Sequence, residues 1–228
     1  MKRYRDIWAT VCMVVLSQLT CSCGLIDMDF GEGTQMAYEM TLDHDMAYAI
    51  LGDSFVLKPI FTPDTVSNHA VYYQSTYDSI AKIVNDTIVA VGEGETRISA
   101  ISVQDVKTAT CDVVVLPKWE VNPYDYPYEM VVYADVKVRG AAPTDGMKIG
   151  AFYGTQLRGT GEWIEHKNIK LMQFRIYSSY SGNAESGERI RFYCYEKDSL
   201  MLKRFPEDLY FDGETHGSLK EPFKLTLP

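Results

Sequence analysis

Two groups of side chains combine residue types that could run acid–base chemistry or hold a cation: Glu162, Glu165 and His166, and Asp212, Glu214 and His216. Both lie in polar, turn-like sequence and are read as solvated loops rather than as a site. The four histidines, His44, His69, His166 and His216, show no His-x-x-x-His spacing and no Cys-x-x-Cys beside them, so no metal site is expected. Gly-x-Ser-x-Gly elbows, phosphate loops and dinucleotide fingerprints are also missing, so the glycines read as turns and no cofactor is expected. The 31 acidic residues offer many carboxylate pairs, but none is marked out as catalytic. The chain is therefore expected not to be an enzyme, with a glycan-active hydrolase as the lesser alternative. Tyrosine is the unusual component, 16 in all, with Trp119, Tyr124, Tyr126, Tyr128 and Tyr133 crowded together. Exposed aromatic faces stack on sugar rings and tyrosine hydroxyls bond a ligand's rim, which makes Tyr124, Tyr126, Tyr128 and Trp163 the candidate ligand-binding residues. Tyrosine is also a good strand former that covers half-buried surface.

The elements that must position these residues are strands. Short β-prone runs alternate with turn residues, with almost no helical periodicity, and the expected fold class is all-β. Met130, Val132, Ala134, Val136 and Val138 fall on one strand face, with Tyr133, Asp135, Lys137 and Arg139 on the other. Met172-Phe174-Ile176, Ile190-Phe192-Cys194 and Thr96-Ile98-Ala100 repeat the period. One-sided burial of this kind belongs to antiparallel sheets packed face to face. The length suits two tandem β-sandwich domains, each of about 100 residues.

The first expected domain, 36–117, carries Leu51-Gly52-Asp53-Ser54-Phe55-Val56-Leu57, Phe61-Thr62-Pro63-Asp64 and Val71-Tyr72-Tyr73-Gln74-Ser75. Further on come Ile88 to Gly94, Thr96 to Ala100 and Cys111-Asp112-Val113-Val114-Val115. In this order the segments resemble the group 2 bacterial immunoglobulin-like domain, with Tyr73 where that family often carries Trp. The resemblance implies a non-catalytic module that spaces or presents other domains. Gly92 and Gly94 suit a tight turn with positive φ, and Pro59, Pro63 and Pro117 suit strand ends. The second expected domain, 118–228, has Asn122-Pro123-Tyr124-Asp125-Tyr126, Gly150-Ala151-Phe152, Arg158-Gly159, Ile190 to Tyr193 and a late Gly217-Ser218. These resemble a recurring β domain of secreted Bacteroidetes proteins that has no assigned chemistry. This chain has Lys148 and Leu157 where that pattern often has an acid and a cysteine.

At the N-terminus, basic Lys2, Arg3 and Arg5 precede an apolar stretch from Ile7 to Leu19, too short for the roughly 20 residues of a membrane-crossing helix. A basic flank and small-residue exit make residues 1–22 a signal peptide. Leu19-Thr20-Cys21-Ser22-Cys23 resembles a lipobox, which implies lipidation of the processed cysteine. Small Ser22 favours Cys23, with Cys21 after branched Thr20 as the alternative. Residues 23–35 mix acids with glycine and read as a tether. Their acids resemble the signal that places Bacteroides-type lipoproteins on the outer face of the outer membrane. Of five cysteines this leaves Cys111 and Cys194 in the folded part, each on an apolar strand face and expected to be a buried small hydrophobe. The net charge of −9 loses a further +2 with the signal (Lys2, Arg3, Arg5 and Asp6), giving −11, and an acidic chain repels nucleic acid. The expected partners are the membrane, through the N-terminal lipid, and a glycan or protein ligand. The expected function is a non-enzymatic surface lipoprotein for binding or adhesion, localised to the cell envelope, with a structural subunit of an envelope assembly as the alternative.

Overall fold

Alternating apolar and polar residues form strands almost throughout the computed structural model, which describes residues 35–167, 169–181 and 187–228. The expected signal peptide, Cys21, Cys23 and all but the last residue of the tether lie outside the described residues. Nine strands build the first half: β1 (Glu39–Leu42), β2 (Met46–Ile50), β3 (Ser54–Phe55), β4 (Pro59–Thr62), β5 (Val71–Ser75), β6 (Ala81–Val84), β7 (Thr87–Ala90), β8 (Gly94–Ser102) and β9 (Thr108–Leu116). They form a four-stranded sheet β2-β9-β8-β5, a three-stranded sheet β3-β7-β6 and the pair β1-β4. β8 turns Thr96, Ile98 and Ala100 inward and β9 turns Cys111, Val113 and Val115 inward, onto Leu57, Phe61, Ala81 and Ile88. Each fully buried aliphatic side chain such as Ile98 contributes about 1.5–3 kcal/mol. Tyr73 packs against this core and donates its hydroxyl to the Leu57 carbonyl at 2.6 Å.

Two expectations about this half need correction. β2 runs parallel to β9, with Ala47 opposite Val113, because alternation reports which face is buried and not which way the partner runs. Gly94 has φ +128°, as expected of a tight turn, but Gly92 is required by close approach: a Cβ there would lie 2.2 Å from the Ser79 carbonyl oxygen.

The second half contains β10 (Tyr128–Val138), β11 (Met147–Tyr153), β12 (Gln156–His166), β13 (Ile169–Ser178), β14 (Arg189–Glu196), β15 (Met201–Tyr210), β16 (Thr215–His216) and β17 (Phe223–Leu227). One sheet runs β15-β14-β11-β12-β13-β10, with β16 and β17 both parallel to β10. It becomes two facing layers because β12 changes partner midway: Gln156 to Thr160 pair with β11, and Gly161 to His166 pair with β13. Glycine makes that corner possible. A Cβ on Gly159 would meet the Arg175 carbonyl oxygen at 2.2 Å, and one on Gly161 would meet the Met172 sulfur at 2.3 Å. The expected inward face of β10, Met130 to Val138, is buried, and Phe174 and Phe192 meet edge to face across the layers at 5.2 Å.

Met36–Pro228 form one compact unit, and a third cluster joins the two cores. Trp119, 8% exposed, packs edge to face on Phe152 at 5.4 Å and lies 6.0 Å from the Tyr195 ring, with Ile50 and Leu157 beside them. Leu200, in the β14–β15 turn with φ 52°, belongs to the first core, and its carbonyl accepts from Tyr48 N–H at 2.8 Å. Asp53 accepts from the Tyr195 hydroxyl at 2.9 Å and from Lys197 at 3.0 Å. Burial pushes the Asp53 carboxyl up, but the hydrogen bonds from Lys197, Tyr195 and the Ile50 N–H outweigh it and hold the group below its ordinary value.

Candidate functional site

The outward face of the β12-β13-β10 layer gathers the polar and aromatic side chains of the second half. Residues alternate in and out along each strand, so Glu129, Val131 and Tyr133 on β10 stand opposite Tyr177, Arg175 and Gln173 on β13. Glu162 on β12 stands opposite Gln173 from the other side. Asn122 caps the short 3₁₀ turn Pro123–Asp125 by accepting from the Tyr124 N–H, and the turn hangs Pro123 over one end of the face. Beneath it lies a cleft of about 160 Å³ lined by Pro123, Gly159, Glu162, Gln173, Arg175 and Tyr177. Arg175 donates one N–H group to both Glu129 oxygens at 3.1 and 3.4 Å, and Gln173 donates to the Tyr133 hydroxyl at 3.3 Å. Burial first, then Glu129, pushes the Tyr177 hydroxyl above its usual range, so it stays a neutral donor at physiological pH.

Under one wall of this face is a buried ionic network. Arg158, 4% exposed, donates to Glu188 at 2.8 Å and to the Tyr177 carbonyl at 3.3 Å, and Ser178 donates to the other Glu188 oxygen at 2.7 Å. The Tyr126 ring lies 4.8 Å from the Arg158 guanidinium and the Tyr153 ring 5.4 Å away. Arg158 Nε is buried without a partner among the described residues.

The four expected ligand residues therefore sit in different places. Tyr126 is half-buried, covers Arg158 and stacks on Tyr177 with ring centres 6.4 Å apart. Tyr124 is 96% exposed on the 3₁₀ turn, and Tyr128, exposed at the start of β10, stands opposite Ser178. Trp163 packs against the second core and lines a separate cleft of about 350 Å³ with Trp119, Met147 and Met172; Lys170 Nζ lies 4.6 Å from its ring centre. Thr160 borders both clefts. Trp119, one of the crowded aromatics, is an interior residue. Glu162 was marked out by sequence only with Glu165 and His166, and Gln173, Arg175 and Tyr177 not at all, because only the register across three strands brings these four together. The Gln173-x-Arg175-x-Tyr177 alternation on β13 was the available signal.

The two acidic groups dissolve differently. Glu162 belongs to the cleft, while Glu165 and His166 are exposed at the end of β12. Asp212 contacts His216 at 3.0 Å and accepts the Glu214 N–H at 2.9 Å, so Glu214 joins through its backbone. Burial raises the Asp212 carboxyl, and the Glu214 N–H and His216 more than offset this, leaving it below its ordinary value. Among the described residues no group of three or more His, Cys, Asp or Glu is placed to hold a metal ion. Cys111 and Cys194 are free, buried in different cores, and burial pushes their thiols up to about 12 and about 11. A concavity of about 530 Å³ is an open groove on the first half, where Arg97 and Asp112 already pair at 2.7 Å.

The fold that holds this face is all-β, built of strands in sheets that pack face to face. No family pattern and no curated protein matches the sequence. Among solved structures, the chain is similar to surface layer protein SbsC, domains 4–9, at 12% identity over 79% of this chain and 32% of that one, with a TM-score of 0.29. It is similar to domains 5–6 of the S-layer protein SbsC at 10% identity over 80% of this chain and 99% of that one, TM-score 0.29. Extracellular cadherin domains 1–4 of protocadherin gamma B7 match at 10% identity over 76% and 49%, TM-score 0.29. The chain thus spans about a third of the length of the first of these. Likeness at these scores carries no reading of function.

Proposed function

We propose that this chain is a non-enzymatic surface lipoprotein, anchored in the outer membrane through a lipid on Cys23, or on Cys21 if processing falls there. In this reading the first sandwich is a domain of the group 2 bacterial immunoglobulin-like type that acts as a spacer. The second sandwich meets a glycan or protein outside the cell. The observation that carries the reading is the outward face of β12-β13-β10, where an aromatic stack and four polar side chains border a cleft on rigid strands. The cluster around Trp119 supports a spacer role, because packed side chains let one sandwich hold the other at a fixed angle. A structural subunit of an envelope assembly is the second reading; the edge strand β5, paired only with β8, is the kind of feature it would use.

The test is fractionation of cells expressing Cys23→Ser or Cys21→Ser, with protease shaving of intact cells and a glycan array probed with the full chain. Release of the Cys23→Ser protein, loss of the chain on shaving and array binding are the expected results. Retention of both cysteine variants in the membrane fraction, or protection from shaving, overturns the anchored surface reading. Co-purification with one fixed envelope partner and a blank array favours the assembly subunit.

A further inference from the structure

We infer that the cleft between Pro123 and the β12-β13 face is a subsite for one neutral sugar ring, an inference that rests on the glycan version of the surface-binding reading. Size argues first: about 160 Å³ lies below the roughly 300–1,000 Å³ typical of pockets for larger ligands. One ring fits, whereas a peptide helix or an enclosed oligosaccharide does not. The polar lining argues next. Glu162 is exposed and has no hydrogen-bond or ion-pair partner among the described residues, and Gln173 spends its amide N–H on Tyr133, which leaves its carbonyl to accept. Arg175 uses one nitrogen on Glu129 and also meets the Tyr177 hydroxyl, leaving the remaining N–H groups of its fork to donate. Acceptors and donors on neighbouring atoms are what vicinal hydroxyl groups satisfy, because each hydroxyl both donates and accepts.

Charge selects among sugars. The single guanidinium of the cleft is already balanced by Glu129, while Glu162 carries an uncompensated negative charge, so a uronate, sulfate or phosphate meets net repulsion. Tyr177, stacked on Tyr126, supplies an aromatic wall whose position is fixed before a ligand arrives. The Trp163 cleft lacks this combination: Lys170 lies over the indole and Met147, Ile149 and Met172 make much of its lining apolar.

The experiment is saturation-transfer NMR on the full chain in detergent, with the methyl glycosides of glucose, galactose, mannose and N-acetylglucosamine as probes and methyl glucuronide as the charged comparison. At least one neutral glycoside is expected to bind, with methyl glucuronide at least tenfold weaker. Glu162→Ala, at an exposed position, and Tyr177→Ala are each expected to weaken binding at least tenfold, with melting of the Glu162→Ala protein unchanged. Tyr124→Ala and Trp163→Ala should stay within twofold. No binding by any neutral glycoside, unchanged binding in Glu162→Ala, or loss in Trp163→Ala instead overturns the subsite. A glycan array that lights up while Glu162→Ala leaves every spot unchanged overturns the subsite but keeps the surface-binding reading. A glycoside that binds as expected in a protein protected from shaving keeps the subsite and removes the surface reading.

Discussion

Truncating Trp119 should uncouple the two cores. The indole is 8% exposed and packs on rings from the second half, Phe152 at 5.4 Å and Tyr195 at 6.0 Å, in a cluster that also holds Ile50 from the first half. Removing a buried Trp to Ala costs about 3–5 kcal/mol in a well-packed site. Trp119→Phe behaves differently, because the indole Nε1 is buried with no partner among the described residues. The smaller ring gives up about two methylene equivalents of burial, roughly 1.6 kcal/mol. Eliminating a buried, unsatisfied donor returns about 1–3 kcal/mol, so the net change should lie between a loss of about 0.6 and a gain of about 1.4 kcal/mol. Cys111 and Cys194 make the assay specific: Cys111 reports the first core and Cys194 the second. Thiol labelling across a urea series, with the two sites separated by peptide mapping, should show coincident midpoints in the native protein and in Trp119→Phe. In Trp119→Ala the two midpoints should separate and total stability, followed by far-ultraviolet circular dichroism, should fall by about 3–5 kcal/mol. Coincident midpoints and a loss under about 1 kcal/mol in Trp119→Ala would refute the packed junction. Equal damage in both variants would refute the cost assigned to the orphaned N–H.

Other substitutions test the remaining parts. Asp53 is held below its ordinary carboxyl value of 3.8 in the fold, so its contribution is fully present above that pH and is lost as pH falls through the lower folded value; Asp53→Asn should be less stable at pH 7 and show a flatter thermal-midpoint profile below pH 4. Gly159→Ala places a Cβ 2.2 Å from a backbone oxygen that cannot swing away, so the loss in a denaturant titration should reach or exceed the upper end of the roughly 1–3 kcal/mol range for overpacking. Glu188→Gln strands the buried Arg158 and should cost about 3–5 kcal/mol by the same titration, whereas Arg158→Met with Glu188→Leu should recover most of it. Cys111 and Cys194, with thiols pushed up to about 12 and about 11, should resist iodoacetamide at pH 8 in the folded protein and react within minutes in denaturant.

The strands were legible in the sequence because period-2 alternation is a local property: Met130 to Val138 and Thr96 to Ala100 face inward as read. The parallel pairing of β2 with β9, and of β10 with β17, was not, since alternation is blind to strand direction. Close approach was likewise hidden. Gly92 looked like a turn residue and Arg158-Gly159 like a motif fragment, yet in both places a backbone carbonyl from another segment occupies the space of a Cβ. The site shows the same limit more sharply. Counting aromatics picked out Tyr124, Tyr126, Tyr128 and Trp163, but exposure and partner differ for each, and a ring such as Tyr126 that covers a buried guanidinium is held for stability first. Glu162, Gln173, Arg175 and Tyr177 are ordinary residues in ordinary alternation. They become a constellation only when β12 leaves β11 at the glycine corner and sets Glu162 opposite Gln173, so the chemistry of this face is a consequence of two missing Cβ atoms. Restoring either one should therefore disturb the cleft as well as the core, and the loss of ligand binding in Gly159→Ala should exceed what its unfolded fraction alone accounts for.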